Sequence, residues 1–167
     1  TLEYGSTIKL NAWTNAIGPR FDWSPALELS CDTCASVVLS PTEDQTIRLV
    51  ITDQNGCSAE AFYQIRLTFT KDVWAPNVFS PNGDQVNDHF TIFGRPTLIN
   101  IDKLQIYDRW GELVYEDYNL PPNDATHGWD GSFRGQDLNP AVFVYVAHVR
   151  FVDGELRMLY GDVTLIR

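Results

Sequence analysis

The segment Asn82–Asp88 (NGDQVND) places oxygen-bearing side chains at the spacing that a calcium-binding loop uses. Ca²⁺ takes about six to eight oxygen ligands, and a glycine in such a loop allows the chain to bend sharply. The candidate ligands are Asn82, Asp84, Asn87 and Asp88, but no glutamate follows closely to complete the set. The other interpretation is a network of tight turns in which Asp84 and Asn87 cap their own backbone. The sequence favours the turns, and it leaves calcium as the one cofactor that the loop admits.

Three cysteines, Cys31, Cys34 and Cys57, are the second set of reactive side chains. The C-x-x-C spacing of the first two occurs in redox pairs and in zinc sites. A redox pair needs a βαβ context and a zinc site needs a full set of ligands, and neither is visible near these cysteines. We therefore predict a structural disulfide, which is typical of exported domains. The sequence leaves the pairing open: Cys57 joins Cys31 or Cys34, or it stays free while the other two pair.

Acidic residues are numerous, but their arrangement does not indicate an enzyme. A glycosidase needs a pair of carboxylates at a set separation within a cleft, and scattered acids such as Asp130 and Asp162 do not show such a pair. The histidines His89, His127 and His148 are isolated from one another, and no serine lies in a nucleophile elbow. We therefore predict that the chain has no catalytic activity.

The overall charge argues against some partners. The 167 residues include 12 basic and 22 acidic side chains, which gives a formal net charge of −10. Nucleic acids and anionic membranes attract basic patches, so we expect neither as a partner. No segment approaches the roughly 18 consecutive apolar residues of a membrane span. Because the chain does not begin with methionine, we expect it to be part of a longer protein. We also expect a monomer.

Short β-strands must position these side chains. Polar and apolar residues alternate in Thr7–Ala12, Thr46–Thr52 and Ala61–Phe69, which is the pattern of strands with one buried face. A turn at Asn55–Gly56 connects the last two, and no long amphipathic helix is apparent. Trp23 is predicted to be a core residue of this first half.

The second half repeats the β pattern after a boundary near Thr70. Its predicted strands, with a turn at Asp153–Gly154 between the last two, are Phe90–Phe93, Lys103–Asp108, Leu113–Asp117, Ala141–Val152 and Leu156–Arg167. The sequence therefore predicts an all-β chain of two consecutive immunoglobulin-like β-sandwich domains, residues 1–70 and residues 71–167.

The second half contains four turn-rich motifs. They are Pro76–Asp88, Tyr107–Gly111, Gly128–Gly131 and the segment Gly161–Arg167. In the second motif, Arg109 is predicted to stack on an aromatic ring or to pair with an acid, and Trp110 is predicted to fold over the sheet. In the third motif, Trp129 is predicted to be buried in the core, and Asp130 is predicted to stabilise a turn.

The order of these four motifs resembles the gliding-motility-associated C-terminal domain, which is the type B sorting signal of the type IX secretion system of Bacteroidota. The resemblance covers Val73–Arg167, with Ala141 where the family usually has glycine. The first half resembles the polycystic-kidney-disease-like (PKD-like) and immunoglobulin-like domains that precede such signals. The resemblance implies export to the periplasm, recognition by the type IX machinery and an outer-membrane β-barrel partner, and a final location on the cell surface or outside the cell.

The resemblance also implies that the motifs meet the export machinery. The side chains expected to contact the partner are Asn77, Pro81, Arg109, Trp110, Trp129, Asp130 and Arg167. The strand Leu156–Arg167 is expected to present an edge or a loop face to the partner. The first domain is expected to be a spacer or an adhesin-type module. The competing hypothesis is an extracellular carbohydrate-binding or adhesin module, which would show several exposed aromatic rings in one plane on a sheet face.

Overall fold

The computed structural model describes residues 1–25 and 28–167, and every regular element within these ranges is a β-strand. The chain forms two compact units, Thr1–Thr70 and Lys71–Arg167, which we call unit 1 and unit 2. The described residues contain no helix long and apolar enough to cross a membrane. The prediction of an all-β sandwich chain is therefore confirmed.

Unit 1 has seven strands within the described residues. They are β1 (Leu2–Glu3), β2 (Ile8–Asn11), β3 (Arg20–Ser24), β4 (Ser36–Leu39), β5 (Gln45–Thr52), β6 (Ser58–Ile65) and β7 (Leu67–Thr68). Strands β3, β5 and β6 form an antiparallel sheet, β2 and β4 form a second, and β1 and β7 make a short parallel pair. The hairpin of β5 and β6 turns at Asn55–Gly56, as the sequence predicts.

The core of unit 1 surrounds Trp23, as predicted. The aliphatic side chains that alternate along β4 and β5 are buried in the same cluster as this indole; they are Val37, Leu39, Ile47 and Leu49. The Trp23 Nε1–H donates a hydrogen bond to the Cys34 carbonyl at 2.8 Å, so the one polar atom of the ring is paired. Full burial of each such aliphatic side chain stabilises the fold by about 1.5–3 kcal/mol relative to exposure.

The structure joins Cys31 to Cys34 by a disulfide, and Cys57 is free and exposed. The Cys34 carbonyl is also the acceptor for the Trp23 indole, so the bridged segment is held against the core ring. Sequence spacing left the pairing open because it does not show which sulfur atoms approach each other in the fold.

Unit 2 has nine strands within the described residues. They are β8 (Val73–Trp74), β9 (Val78–Phe79), β10 (Phe93–Gly94), β11 (Leu98–Tyr107), β12 (Leu113–Leu120), β13 (Ser132–Phe133), β14 (Gln136–Asp137), β15 (Ala141–Phe151) and β16 (Leu156–Leu165). The main sheet has the order β12-β11-β15-β16-β9, and only the β16–β9 pair in it is parallel. Two small antiparallel pairs, β8–β10 and β13–β14, complete the unit.

One face of the main sheet packs on the core of unit 2. Alternate residues of β15 point to that face and are buried, among them Phe143, Ala147 and Val149. Phe79 and Trp129 join this cluster from other parts of the chain. The core therefore stabilises the segments between the strands as well as the main sheet.

Two strand predictions for unit 2 were wrong. β11 begins at Leu98 and not at Lys103, because irregularities near Leu98 and Ile101 interrupt its register with β15 and break the period of two that the sequence pattern relies on. The predicted strand Phe90–Phe93 is reduced to one bridge between Phe90 and Trp129, with only Phe93 in β10.

Candidate functional site

The predicted recognition motifs lie at one end of the main sheet. β9, β11 and β16 run in the same direction, because β11 and β16 are both antiparallel to β15 and β9 is parallel to β16. The segments that follow these strands therefore emerge together. We call this region the loop end, and it comprises Ser80–Asp88, Asp108–Glu112, Gly128–Gly131 and Ile166–Arg167.

Asp88 organises the first of these segments. Its carboxylate accepts N–H bonds from Asn82 at 2.9 Å, from Gly83 at 2.8 Å and from Gln85 at 2.8 Å. Gln85 and Asn87 adopt positive φ angles of 69° and 57°, which the closed turn holds in place. The predicted turn network is present, but the residue at its centre is Asp88 rather than Asn87.

Oxygens of the proposed calcium ligands accept hydrogen bonds within the loop. The Asp84 Oδ1 accepts the Val86 N–H at 2.8 Å, and the Asn82 Oδ1 accepts the Asp84 N–H at 3.0 Å. With the three bonds to Asp88, these contacts use part of the acceptor capacity of the oxygens and stabilise the loop as a set of tight turns. Within the described residues, no group of three or more His, Cys, Asp and Glu side chains is arranged to hold a metal ion.

We predict that Asp88→Asn lowers the melting temperature of unit 2 at pH 7 and weakens its acid sensitivity. The N–H groups of Gly83, Gln85 and Asn82 hold the pKa of Asp88 below its usual value. A carboxyl with a lowered folded-state pKa stabilises the fold above its unfolded pKa of about 3.9, and this stability disappears as the pH falls through the folded pKa. Thermal unfolding between pH 7 and pH 2 measures both effects.

Asp84→Asn is the matched control for Asp88→Asn. Asp84 lies in the same loop and accepts one backbone N–H, from Val86, where Asp88 accepts three. The control is expected to lower the melting temperature less at pH 7. An equal decrease in melting temperature in the two variants would show that the three N–H donors do not make Asp88 more stabilising than Asp84.

The Arg167 side chain contacts three other residues at or beside the loop end. Its Nε donates to the Leu138 carbonyl at 3.1 Å, its Nη2 donates to the Gly131 carbonyl at 3.2 Å, and its Nη1 lies 2.9 Å from a carboxylate oxygen of Asp137. Gly131 in turn approaches Pro81: a Cβ added to Gly131 would lie 3.1 Å from the Pro81 ring. Arg167, Gly131 and Pro81 are thus brought to one place. They border a shallow depression lined by Pro81, Gly83, Asp88, His89, Asp130, Asp137 and Arg167.

Three other predicted recognition residues are engaged in holding the fold. The Asn77 carbonyl accepts the Thr164 N–H at 2.9 Å and fastens β9 to β16. The Asp130 carboxylate accepts the Ser132 N–H at 2.9 Å and closes a turn, as predicted. Trp129 is fully buried, also as predicted. Hydrogen bonding and burial at these three residues stabilise the loop end and the β9–β16 pair beside it.

Arg109 and Trp110 form the exposed part of the loop end. The Asp108 carboxylate closes their turn by accepting the N–H groups of Trp110 at 2.9 Å and Glu112 at 2.8 Å. The Arg109 guanidinium stacks on the Trp110 ring at 4.4 Å, as predicted. Trp110 itself is 78% exposed, so the expectation that it folds over the sheet was wrong. An aspartate at the start of a short glycine-containing turn is the sequence signal that points to Asp108.

A cavity of about 260 Å³ adjoins the Arg109–Trp110 turn. Its apolar walls are Val114, Phe133, Leu138, Pro140 and Phe143, and Asp108 and Glu112 lie on its border. None of these wall residues belongs to the four sequence motifs, because they come together only through the pairing of the strands. The loop end therefore combines exposed turns, a stacked Arg–Trp pair and an apolar recess, which is an arrangement suited to contact with another macromolecule.

The exposed aromatic side chains of unit 2 include Trp74, Trp110, Tyr118 and Tyr160. Trp74 stacks on Phe93 with ring centroids 6.5 Å apart. Tyr118 on β12 and Tyr160 on β16 are both exposed, but they lie three strands apart, a separation of roughly 14 Å. The rings of Tyr118 and Tyr160 are therefore not adjacent on the sheet.

Comparison with known proteins gives one family match. The model described as the CHU_C type IX secretion signal domain matches residues 73–160, which are more than half of the chain. The matched residues include β8 to β15 and the first half of β16. No curated protein matches the sequence as a relative.

Solved structures with a similar course of the chain are distant. Dimeric latent PorU from Porphyromonas gingivalis has a TM-score of 0.34 and 17% identity, over 99% of this chain and 19% of that chain. SGBP-B of Bacteroides ovatus, solved with a mixed-linkage heptasaccharide, has a TM-score of 0.33 and 10% identity, over 99% and 42%. Fibronectin(III)-like modules of Clostridium thermocellum CbhA have a TM-score of 0.28 and 11% identity, over 99% and 87%. At such scores these likenesses carry no argument about function.

Proposed function

The chain belongs to the family of CHU_C type IX secretion signal domains, and on this premise we propose that unit 2 is a non-catalytic sorting module that directs a larger cell-surface or secreted protein across the outer membrane. Type IX export places the chain on the cell surface or outside the cell, and it requires contact with the secretion machinery. The observation that carries the proposal is the family match to residues 73–160, which lies wholly inside unit 2.

We infer that the immediate partner is an outer-membrane β-barrel protein and that the loop end is the surface it contacts. The loop end supports this inference because it gathers segments from separate parts of unit 2 at one end of a sheet. Its exposed Arg109–Trp110 pair offers a cation and a large ring, both of which are enriched at protein interfaces. The sorting module is proposed to act as a monomer.

Secretion of a fluorescent reporter fused to Thr1–Arg167 tests the sorting function. The host carries a type IX system, and parallel strains lack either the system or the barrel partner. We expect the reporter in the medium or on the surface only when both are present. A folded reporter that stays in the periplasm of the complete strain would refute the sorting function. Export that continues without the barrel would refute the partner alone.

A double variant, Arg109→Ala with Trp110→Ala, tests the contact surface. We expect secretion to fall about tenfold, as when central contacts of an interface are lost. The melting temperature should change little, because both side chains are on the surface. Trp13→Ala, which removes an exposed tryptophan of unit 1, is the control and should leave secretion unchanged. Normal secretion of the double variant would show that the partner does not read this turn.

Unit 1 is proposed to be a spacer or adhesin-type module. Its seven described strands and its disulfide suit a stable extracellular domain. Binding to a panel of surface polysaccharides would separate the two roles, because a spacer binds none of them.

A further inference from the structure

The two edge strands of the main sheet in unit 2 differ in how well they are protected from pairing with another chain. On one edge, β12 carries the acidic residues Glu116 and Asp117. Charged side chains on an edge strand oppose pairing with another chain. On the other edge, β9 covers β16 only at Thr164 and Leu165. From Leu156 to Asp162, the described residues supply no strand beyond β16.

The hydrogen bonds to β9 show which main-chain groups of β16 face this edge. The N–H groups of Thr164 and Ile166 donate across it at 2.9 Å and 3.0 Å. Alternate residues of a strand direct their N–H and C=O groups to the same edge. Met158, Tyr160 and Asp162 therefore direct theirs to the part of the edge that β9 leaves open. A strand added there would continue the ladder.

The side chains beside the open edge are apolar. Leu156, Met158 and Tyr160 are 61%, 56% and 74% exposed and lie on the outer face of the sheet. On β15, Val146 lies opposite Tyr160, and the exposed Val144 follows opposite Asp162. A row of exposed apolar side chains next to unpaired main-chain groups is unusual for a strand that meets only water.

We propose that the open edge of β16, from Leu156 to Asp162, accepts an extended segment of a protein of the export machinery as an added strand. This proposal rests on the proposed sorting function. Main-chain hydrogen bonds supply the affinity in such strand addition, and side chains at alternate positions supply the specificity. The added segment has apolar residues at every second position, where they lie beside Leu156, Met158 and Tyr160.

Charge specifies one more feature of the added segment. Asp162 is exposed at one end of the apolar row, and its neighbour across the strands is the apolar Val144. Residues 71–167 carry 8 basic and 14 acidic side chains, a net charge of −6. The segment therefore carries a basic residue at the end that meets Asp162, because an acidic one would be repelled.

A second copy of this chain fits the open edge of β16 less well than a segment of the export machinery does. Symmetric antiparallel pairing about Leu159 would place Asp162 of each copy against Leu156 of the other, which gives the acid no cation. Two copies of the chain would also bring together two net charges of −10, from 12 basic and 22 acidic residues each.

The substitution Tyr160→Lys in the reporter fusion with Thr1–Arg167 tests the open edge. It places a charge in the apolar row, so we expect secretion to fall about tenfold. Tyr118→Lys is the matched control, since Tyr118 is an exposed tyrosine on the opposite edge strand. The control should keep secretion within about twofold of the unmodified fusion. Full secretion of the Tyr160→Lys fusion would overturn the proposal.

A photo-crosslinking residue at position 160, with position 118 as the control, keeps the test decisive if Tyr160→Lys lowers the melting temperature. In secreting cells we expect an adduct with a type IX component from position 160 and none from position 118. An adduct of twice the fusion's mass would overturn the assignment in favour of a second copy. Failure of the unmodified fusion to be secreted would instead refute the sorting function itself, and the open-edge proposal with it.

Discussion

Alanine in place of Gly128 is expected to lower the free energy of unfolding of unit 2 by about 3 kcal/mol or more. Gly128 has a φ of 130°, a conformation that is strained for any residue with a Cβ. A Cβ there would also lie 2.2 Å from the Phe90 carbonyl oxygen. That carbonyl accepts the Trp129 N–H at 3.0 Å, so the clash falls on the bridge that fastens the buried tryptophan.

Gly135→Ala separates the clash from the backbone strain. Gly135 also has a positive φ, of 76°, but no atom lies within 4 Å of a Cβ added to it. Its substitution is expected to cost only about 1–2 kcal/mol. Urea unfolding of the full chain followed by circular dichroism measures both variants, and the Trp23→Ala variant identifies the transition of unit 1. Similar costs for the two glycines would contradict the predicted clash.

The second large effect is expected from Trp129→Ala, which should lower the free energy of unfolding of unit 2 by about 3–5 kcal/mol. The ring of Trp129 is fully buried. Its centroid lies 4.7 Å from that of Phe143 and 5.2 Å from that of Phe79. Its Nε1–H donates to the Ser132 carbonyl at 2.9 Å. Alanine would remove these contacts and leave a cavity in the core.

Trp110→Ala is the matched control for Trp129→Ala. Both tryptophans belong to the loop end, but Trp110 is exposed, so its loss is expected to cost less than about 1 kcal/mol. Urea unfolding of the two variants is the measurement. If both unfolded at the same urea concentration, the buried indole would not be a main support of unit 2.

The two tryptophans are also expected to affect secretion for different reasons. Trp129→Ala should abolish export because the loop end loses its support, and its melting temperature should fall with it. Trp110→Ala should reduce export while the fold survives. The pair therefore distinguishes a residue that shapes the contact surface from a residue that touches the partner.

Local patterns in the sequence were sufficient for much of the β architecture. The predicted strand Ala141–Val152 ends one residue beyond β15, and the predicted turn at Asp153–Gly154 joins β15 to β16. Alternation with a period of two reports burial of one strand face, and it requires no knowledge of the neighbouring strand. The same local logic failed at the start of β11, where irregular pairing with β15 breaks the alternation.

The motifs of unit 2 were also readable from the sequence, since glycine, proline and asparagine at turns leave a local signature. Their order was enough to indicate the secretion signal family, and the family match over residues 73–160 confirms it. The burial of Trp129 was also predicted correctly, since tryptophan side chains are highly buried on average.

Only the tertiary structure decided which side chains of the loop end are exposed and which form its hydrogen bonds. It placed Asp88 at the centre of the turn network, left Trp110 exposed, and joined Arg167 to the Gly131 carbonyl. It also left the β16 edge open from Leu156 to Asp162. Each of these outcomes depends on which strand lies beside which and where the pairing stops, and such contacts between distant parts of the chain leave no local pattern in the residues.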